Sequence, residues 1–202
     1  MMGRAKEIIK KQWIIYLAIA VFSTLLSIFS LNFANMPKGE EIFTIFIGSY
    51  SSNIDEFKGV IEANKPDYVR KVTINSFRND DDNFLLYYNS FGLKHSDMII
   101  IPESKIKKED LVTYCLALPD SVVEKHGYTS TFDVDDYSYG VKLFDIDNKI
   151  DSLLTLSKEG VEKEDYFMFF KKNSYHTGSL GEGKKELAFD YARLLCSYGK
   201  ES

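Results

Sequence analysis

Residues 178–185, GSLGEGKK, come within one position of the phosphate-cradling pattern G-x-x-x-x-G-K-[ST], in which a hydroxyl after the lysine reaches Mg²⁺. Lys185 stands where that hydroxyl is required, and no apolar strand with a terminal Asp comes after it in the chain. The stretch therefore reads as a glycine loop entering a helix. Asp145, Asp147 and Asp151, and the cluster Asp133, Asp135 and Asp136, have the close carboxylate spacing of calcium loops. Neither has the glycine at the sixth position or the glutamate at the twelfth that such a loop needs, so both read as solvated turns. His95, His126 and His176 lack metal-ligand spacing, and two cysteines cannot build a thiolate zinc site. No metal and no cofactor is expected.

Covalent catalysis finds no better footing. G-x-S-x-G, H-E-x-x-H and paired Cys-His signatures are missing, and Asp97 or Asp145 pairs with a histidine on paper only. A non-enzyme is the expectation. A cell-envelope hydrolase is the remote alternative, and it would need clustered carboxylates or a Ser/His pair to come together in the fold. Cys115 and Cys196 sit in helical apolar patterns, with Leu111, Tyr114 and Leu118 around the first and Ala192 and Leu195 around the second. They read as small buried hydrophobes rather than as a bridge, although an oxidising compartment would permit one.

The scaffold for these residues begins with an apolar segment. From Gln12 to Pro37 there is no charged side chain. At about 1.5 Å of rise per residue, roughly 20 residues cross the ~30 Å hydrocarbon core as a helix. Arg4, Lys6, Lys10 and Lys11 precede the segment against a single Glu7, so the positive-inside bias places the N-terminus in the cytoplasm and the C-terminal domain outside. The expected organisation is a cytoplasmic basic tail over 1–12, an uncleaved signal anchor over 13–35 held by the lipid bilayer, a linker over 36–41 and an extracytoplasmic domain over 42–202. Cleavage as a signal peptide competes with this reading. It is disfavoured because the run exceeds a usual h-region and no clear small-x-small site ends it.

Removing the N-terminal tail's four basic and one acidic residues from totals of 25 and 30 leaves 21 and 29, a net charge of −8. Such a domain repels nucleic acid at long range, and no basic patch interleaved with aromatics offsets this. Nucleic-acid binding is excluded as an expectation.

Within the domain, the continuous apolar run Ile42–Ile47 ends at Gly48, the pattern of a strand buried on both faces. Asn53 and Glu56 then form a capping-box-like start to a helix that Pro66 ends. The spacing predicts a strand over 69–77, a helix over 80–91, a strand over 98–101 and a helix over 107–118. A further turn or short helix is expected over 120–126, then strands over 137–144 and 166–171 and a terminal helix over 186–198. Residues 148–157 are ambiguous. The alternation predicts an α/β fold: one open, mostly parallel sheet of about five strands flanked by helices. In such sheets sites gather beyond the C-terminal strand ends. Here those are the loops 48–53, 78–82 and 102–104.

The segments IFTIFIGSYSSNIDEFKGVIEANKPDYVRKVTINSF, SDMIIIPES, DYFMFFKKNSYHTGS and KKELAFDYARLL, over about residues 42–199, resemble one lobe of the extracellular solute-binding proteins of ABC importers, the maltose-binding class. The resemblance implies one lobe of a periplasmic-binding-protein type II fold, with Ser49, Tyr50, Ser51 and Glu103 lining a cleft for a sugar or peptide. The alternative reading of these residues is plain: serines before a helix cap it, and a loop glutamate is solvated. In that family a strand like YGVKLF leads into a second lobe, whereas only about 20 residues separate Phe144 from Tyr166 here. A single lobe offers an open half-site. The expectation is therefore non-catalytic binding of a ligand or of a membrane protein partner, with docking as a structural accessory subunit as the alternative.

Overall fold

The computed structural model describes residues 2–34, 38–49, 53–128, 130–144, 154, 156, 164–178 and 186–197. The chain divides into two compact units, Met1–Lys38 and Gly39–Ser202.

The first unit is one helix, α1 (Met2–Ala34). Its stretch Gln12–Leu31 has a mean hydropathy of 2.3 with none of it buried, which is long and apolar enough to cross a membrane. Two hydroxyls inside that stretch are satisfied by the helix itself: Thr24 Oγ1 donates to the Ala20 carbonyl at 2.9 Å and Ser27 Oγ to the Ser23 carbonyl at 2.8 Å. Neither needs a partner from outside, the condition for placing a hydroxyl in lipid.

The second unit is built on six strands: β1 (Ile42–Ile47), β2 (Lys71–Ser76), β3 (Met98–Pro102), β4 (Thr131–Val134), β5 (Tyr137–Phe144) and β6 (Tyr166–Phe170). Their order is β2-β1-β3-β6-β5-β4. The β1–β2 and β1–β3 pairings are parallel, while β3–β6, β6–β5 and β5–β4 are antiparallel. The expected mostly parallel, five-stranded sheet is thus corrected to a mixed, six-stranded one. Two local causes account for this. Asp135 takes a left-handed φ of 53°, which an aspartate tolerates, and folds Thr131–Val134 back on β5 as a hairpin. The chain then returns between β3 and β5 as β6, running against both.

Strands rich in unbroken apolar residues are buried on both faces. Met98, Ile100, Met168 and Phe170 face one layer with Phe43, Ile45 and Ile47. This layer is covered by α2 (Ile54–Ala63) through Phe57 and Ile61 and by α6 (Leu187–Ser197) through Tyr191 and Leu195, while Val122 and Val123 of α5 (Asp120–His126) pack against it. Ile99, Ile101, Phe167 and Phe169 face the other layer with Phe46. There they meet Phe84 of α3 (Phe84–Tyr87), Tyr88 and Leu93 of the π-helical turn Tyr88–Leu93, and Leu111 of α4 (Lys108–Tyr114).

Several elements are shorter than their sequence pattern suggests. The helix expected from residue 80 starts at Phe84, because Asp81 accepts the Asn83 N–H on its side chain at 2.7 Å and the Phe84 N–H on its carbonyl at 2.9 Å. Local side-chain bonds of this kind compete with helix. The helix expected to reach residue 118 stops at Tyr114, where Cys115 turns extended and bridges Lys171. Asn53 precedes α2 but its side chain makes no capping bond to that helix.

Candidate functional site

At the C-terminal end of β1, Gly48 donates its N–H to the Ile100 carbonyl at 2.7 Å. A Cβ at Gly48 would lie 2.9 Å from both Ile101 Cγ2 and the Phe84 ring, so only glycine lets the backbone pass between them. This close fit delivers Ser49 to the edge. Ser49 is only 1% exposed, and its hydroxyl turns inward, donating to the Leu156 carbonyl. The Ser49 and Tyr166 hydroxyl oxygens lie 3.0 Å apart. Burial pushes the Tyr166 phenol above its usual range, with the Ser49 bond acting in the opposite sense. Ser49 is therefore part of an internal network that ties the end of β1 to the start of β6.

Glu103 lies on the same edge, just beyond β3, and opens the 3₁₀ turn Glu103–Lys105. Its backbone N–H donates to the Asp165 carbonyl at 2.9 Å, and the Ser104 N–H donates to the Glu164 carboxylate at 3.1 Å. The Glu103 side chain is exposed. Beside it, the Lys142 ammonium meets the Asp165 carboxylate at 2.7 Å and lies 5.6 Å from the Phe167 ring centroid. The Lys105 ammonium lies 5.9 Å from the ring centroid of Phe84. At the end of β2, Arg78 grips Asp80 through two nitrogens, at 2.8 and 2.5 Å. The edge thus offers carboxylates and ammonium groups that can accept and donate hydrogen bonds to a polar partner.

Of the four residues expected to line a cleft, Ser49 follows β1 after Gly48 and Glu103 directly follows the neighbouring β3, Ser49 facing inward and Glu103 outward. Tyr50 and Ser51 lie outside the described residues, as do Asp145, Asp147, Asp151 and residues 179–185 of the glycine loop. Tyr166, Lys142 and Asp165 also belong to this edge and were missed by sequence reasoning. The polar pair Asp165-Tyr166 opening an otherwise apolar strand was the signal that could have found them. Phe84, which packs against the Gly48 turn, leads directly into Leu85 and Leu86, 49% and 61% exposed, so apolar side chains also meet solvent close to this edge.

The opposite end of the sheet gathers Asp97, Ser174 and His176, residue types that could suggest a catalytic relay. Their geometry is that of a latch. Asp97 accepts the Thr44 N–H at 2.7 Å on one carboxylate oxygen and the Ser174 hydroxyl at 2.5 Å on the other. His176 reaches Ser174 through its backbone N–H at 2.9 Å, while its ring Nε2 lies 2.9 Å from the Ile42 carbonyl. No ring nitrogen faces the serine oxygen, so the nucleophile–base bond of such a relay is not formed. Burial raises the Asp97 carboxyl above its usual range, opposed by its bonds from Ser174 and Thr44 and by the positive charges nearby.

His95 is exposed on the surface, and His126 packs against Tyr128 and Phe189. Among the described residues no three His, Cys, Asp or Glu side chains converge in a way that could hold a metal ion. Asp133 accepts the Ser138 hydroxyl at 2.7 Å and lies 3.0 Å from Thr131 Oγ1, which commits it to the β4–β5 hairpin.

Comparison with protein families, with curated proteins and with solved structures found no match to this chain.

Proposed function

We propose that this chain is a membrane-tethered, extracytoplasmic binding domain that engages a ligand or partner protein without catalysing a reaction, in the manner of one lobe of an ABC-importer solute-binding protein. The observation that carries the reading is the joining of an apolar helix, none of whose membrane-length stretch is buried, to an α/β domain with Ser49 and Glu103 at the ends of neighbouring parallel strands. The returning strand β6 beside β3 is in keeping with the same likeness. N-terminal basic residues ahead of the apolar stretch support an outward-facing domain.

A second reading, docking as an accessory subunit on a membrane complex, is favoured by Leu85 and Leu86. Solvent-facing leucines beside a candidate site suit a protein surface better than a sugar. One experiment addresses both readings. The full chain in lipid nanodiscs is challenged with sugars and peptides while its melting temperature is followed, and a photoreactive side chain at position 86 is used for crosslinking in cell membranes. A ligand-induced rise supports solute binding, and a discrete membrane-protein crosslink lost in Leu85→Gln supports docking. Neither signal appearing contradicts the binding reading.

A further inference from the structure

The sheet has two outer strands, and they are finished differently. β4 is four residues long, its pairing with β5 shifts between Phe132 and Asp133, and the hairpin it enters turns through the left-handed Asp135. Short, irregular, charged edges discourage the addition of another strand. β2 has none of these guards. Its six residues pair with β1 in unbroken register, from Ile42 opposite Lys71 to Ile47 opposite Ser76, and residues 72–75 include neither a charge nor a proline.

Along a strand in a parallel pair, the N–H and C=O of one residue point to the same side, and the side alternates from residue to residue. Phe77 donates its N–H to the Ile47 carbonyl at 2.9 Å, so Thr73 and Asn75 also face β1, while Val72, Ile74 and Ser76 direct their backbone groups away from the sheet. Among the described residues no hydrogen bond takes these groups up. The aromatic cover beside this edge is open as well. Phe77, directly after β2, stacks on Tyr87 at 4.3 Å and on Phe91 at 5.5 Å between ring centroids, and Phe91 is 41% exposed.

The charges that meet a neighbouring strand are those on the strand and directly flanking it. Where β2 begins these are the exposed Arg70 and Lys71, with Asp67 three residues further back and Glu41 3.5 Å from Arg70. Past its end come Arg78, Asp80, Asp81 and Asp82, all exposed, with Arg78 bound to Asp80. An uncharged middle between unlike ends makes β2 its own complement when reversed.

We propose that β2 pairs antiparallel with β2 of a second copy of this chain, joining two six-stranded sheets across a two-fold axis near Asn75 and Ser76. The outward backbone groups of Val72, Ile74 and Ser76 then meet those of the other copy, and the Arg70 and Lys71 end of each strand lies beside the aspartate turn of its neighbour. A parallel pairing would set like ends together. The pairing asks nothing of α1, so it stands apart from the membrane reading.

The test uses the full chain in detergent micelles with Cys196→Ser, which leaves only the buried Cys115. A single cysteine is placed at Asn75→Cys or, on the opposite edge of the sheet, at Asp136→Cys, and a short bis-maleimide is added. The yield of crosslinked dimer at position 75 exceeds that at 136 by about tenfold or more. Ser76→Pro removes an outward N–H and no bond to β1, and it lowers the yield at 75 by about tenfold while the circular dichroism stays native. Arg70→Glu with Lys71→Glu lowers it by about as much, as does Asp80→Lys with Asp82→Lys, and mixing these two charge-reversed chains restores it because the facing ends are again unlike. Equal yields at 75 and 136 overturn the proposal, since contact through α1 alone gives that result. A yield at 75 that survives the proline and the charge reversals overturns it too, and so does a failure to recover on mixing.

Discussion

The carboxylate of Asp97 accepts the backbone N–H of Thr44 at 2.7 Å, pinning the start of β3 to β1 across the parallel pair. Its other oxygen holds Ser174, whose hydroxyl takes the His176 N–H, so one side chain fastens three segments. Asp97→Ala leaves buried donors without partners and is expected to cost about 2–4 kcal/mol of stability. Urea unfolding of the purified chain measures this.

The same residue gives a pH dependence. The folded carboxyl is raised, chiefly by burial, so the folded state binds its proton more tightly than the unfolded state. Its contribution to stability is therefore full below the ordinary aspartate range and declines as pH rises through the raised folded value. Asp97→Asn cannot titrate. The stability difference between wild type and this variant should move in the variant's favour as pH is raised from about 4 toward neutrality. Unfolding midpoints across that range check the sign.

Ser49 and Glu103 separate structure from recognition. Ser49→Ala removes the hydroxyl that bonds the Leu156 carbonyl and neighbours the Tyr166 hydroxyl, and is expected to cost about 1–3 kcal/mol. Glu103→Ala removes an exposed carboxylate and should stay within about 0.5 kcal/mol of wild type. Any loss of ligand or partner engagement in Glu103→Ala is then a surface effect, read by comparing its melting curve with its binding.

Tyr88 is buried to 1% exposure in the layer formed by Phe46, Phe84 and Leu93, and its hydroxyl has no hydrogen-bond partner among the described residues. Burying a hydroxyl without a bond is unfavourable. Tyr88→Phe should therefore be neutral or stabilising by up to about 2 kcal/mol, with the unfolding slope unchanged.

The two thiols differ. Cys115 is buried, and its pKa is pushed up to about 12, first by burial and then by the Asp110 charge, whereas Cys196 is partly exposed. Since the thiolate is the reactive form, a thiol reagent near pH 8 should modify Cys196 while Cys115 reacts only on unfolding. Mass spectrometry of native and denatured samples shows which cysteine carries the label.

Much of this fold was legible because burial on both faces leaves an unbroken apolar run: IFTIFI and YFMFF read as strands, and both lie inside the sheet. Strand direction was not legible. Nothing in YFMFF says that it runs against β3, and the four residues TFDV became a strand only because Asp135 accepts a left-handed turn. Strand-end reasoning placed Ser49 and Glu103 on one edge. The inward turn of Ser49 depends on Leu156 and Tyr166, which are 107 and 117 residues away in sequence and which no local pattern announces.

Whether a membrane helix holds this domain outside the cell is decided by surface proteolysis of intact cells expressing the full chain, with antibody detection of a C-terminal epitope. External protease should remove the domain and leave a short fragment with the membrane helix. A full-length chain that survives until the cells are broken open would contradict the outward-facing tether.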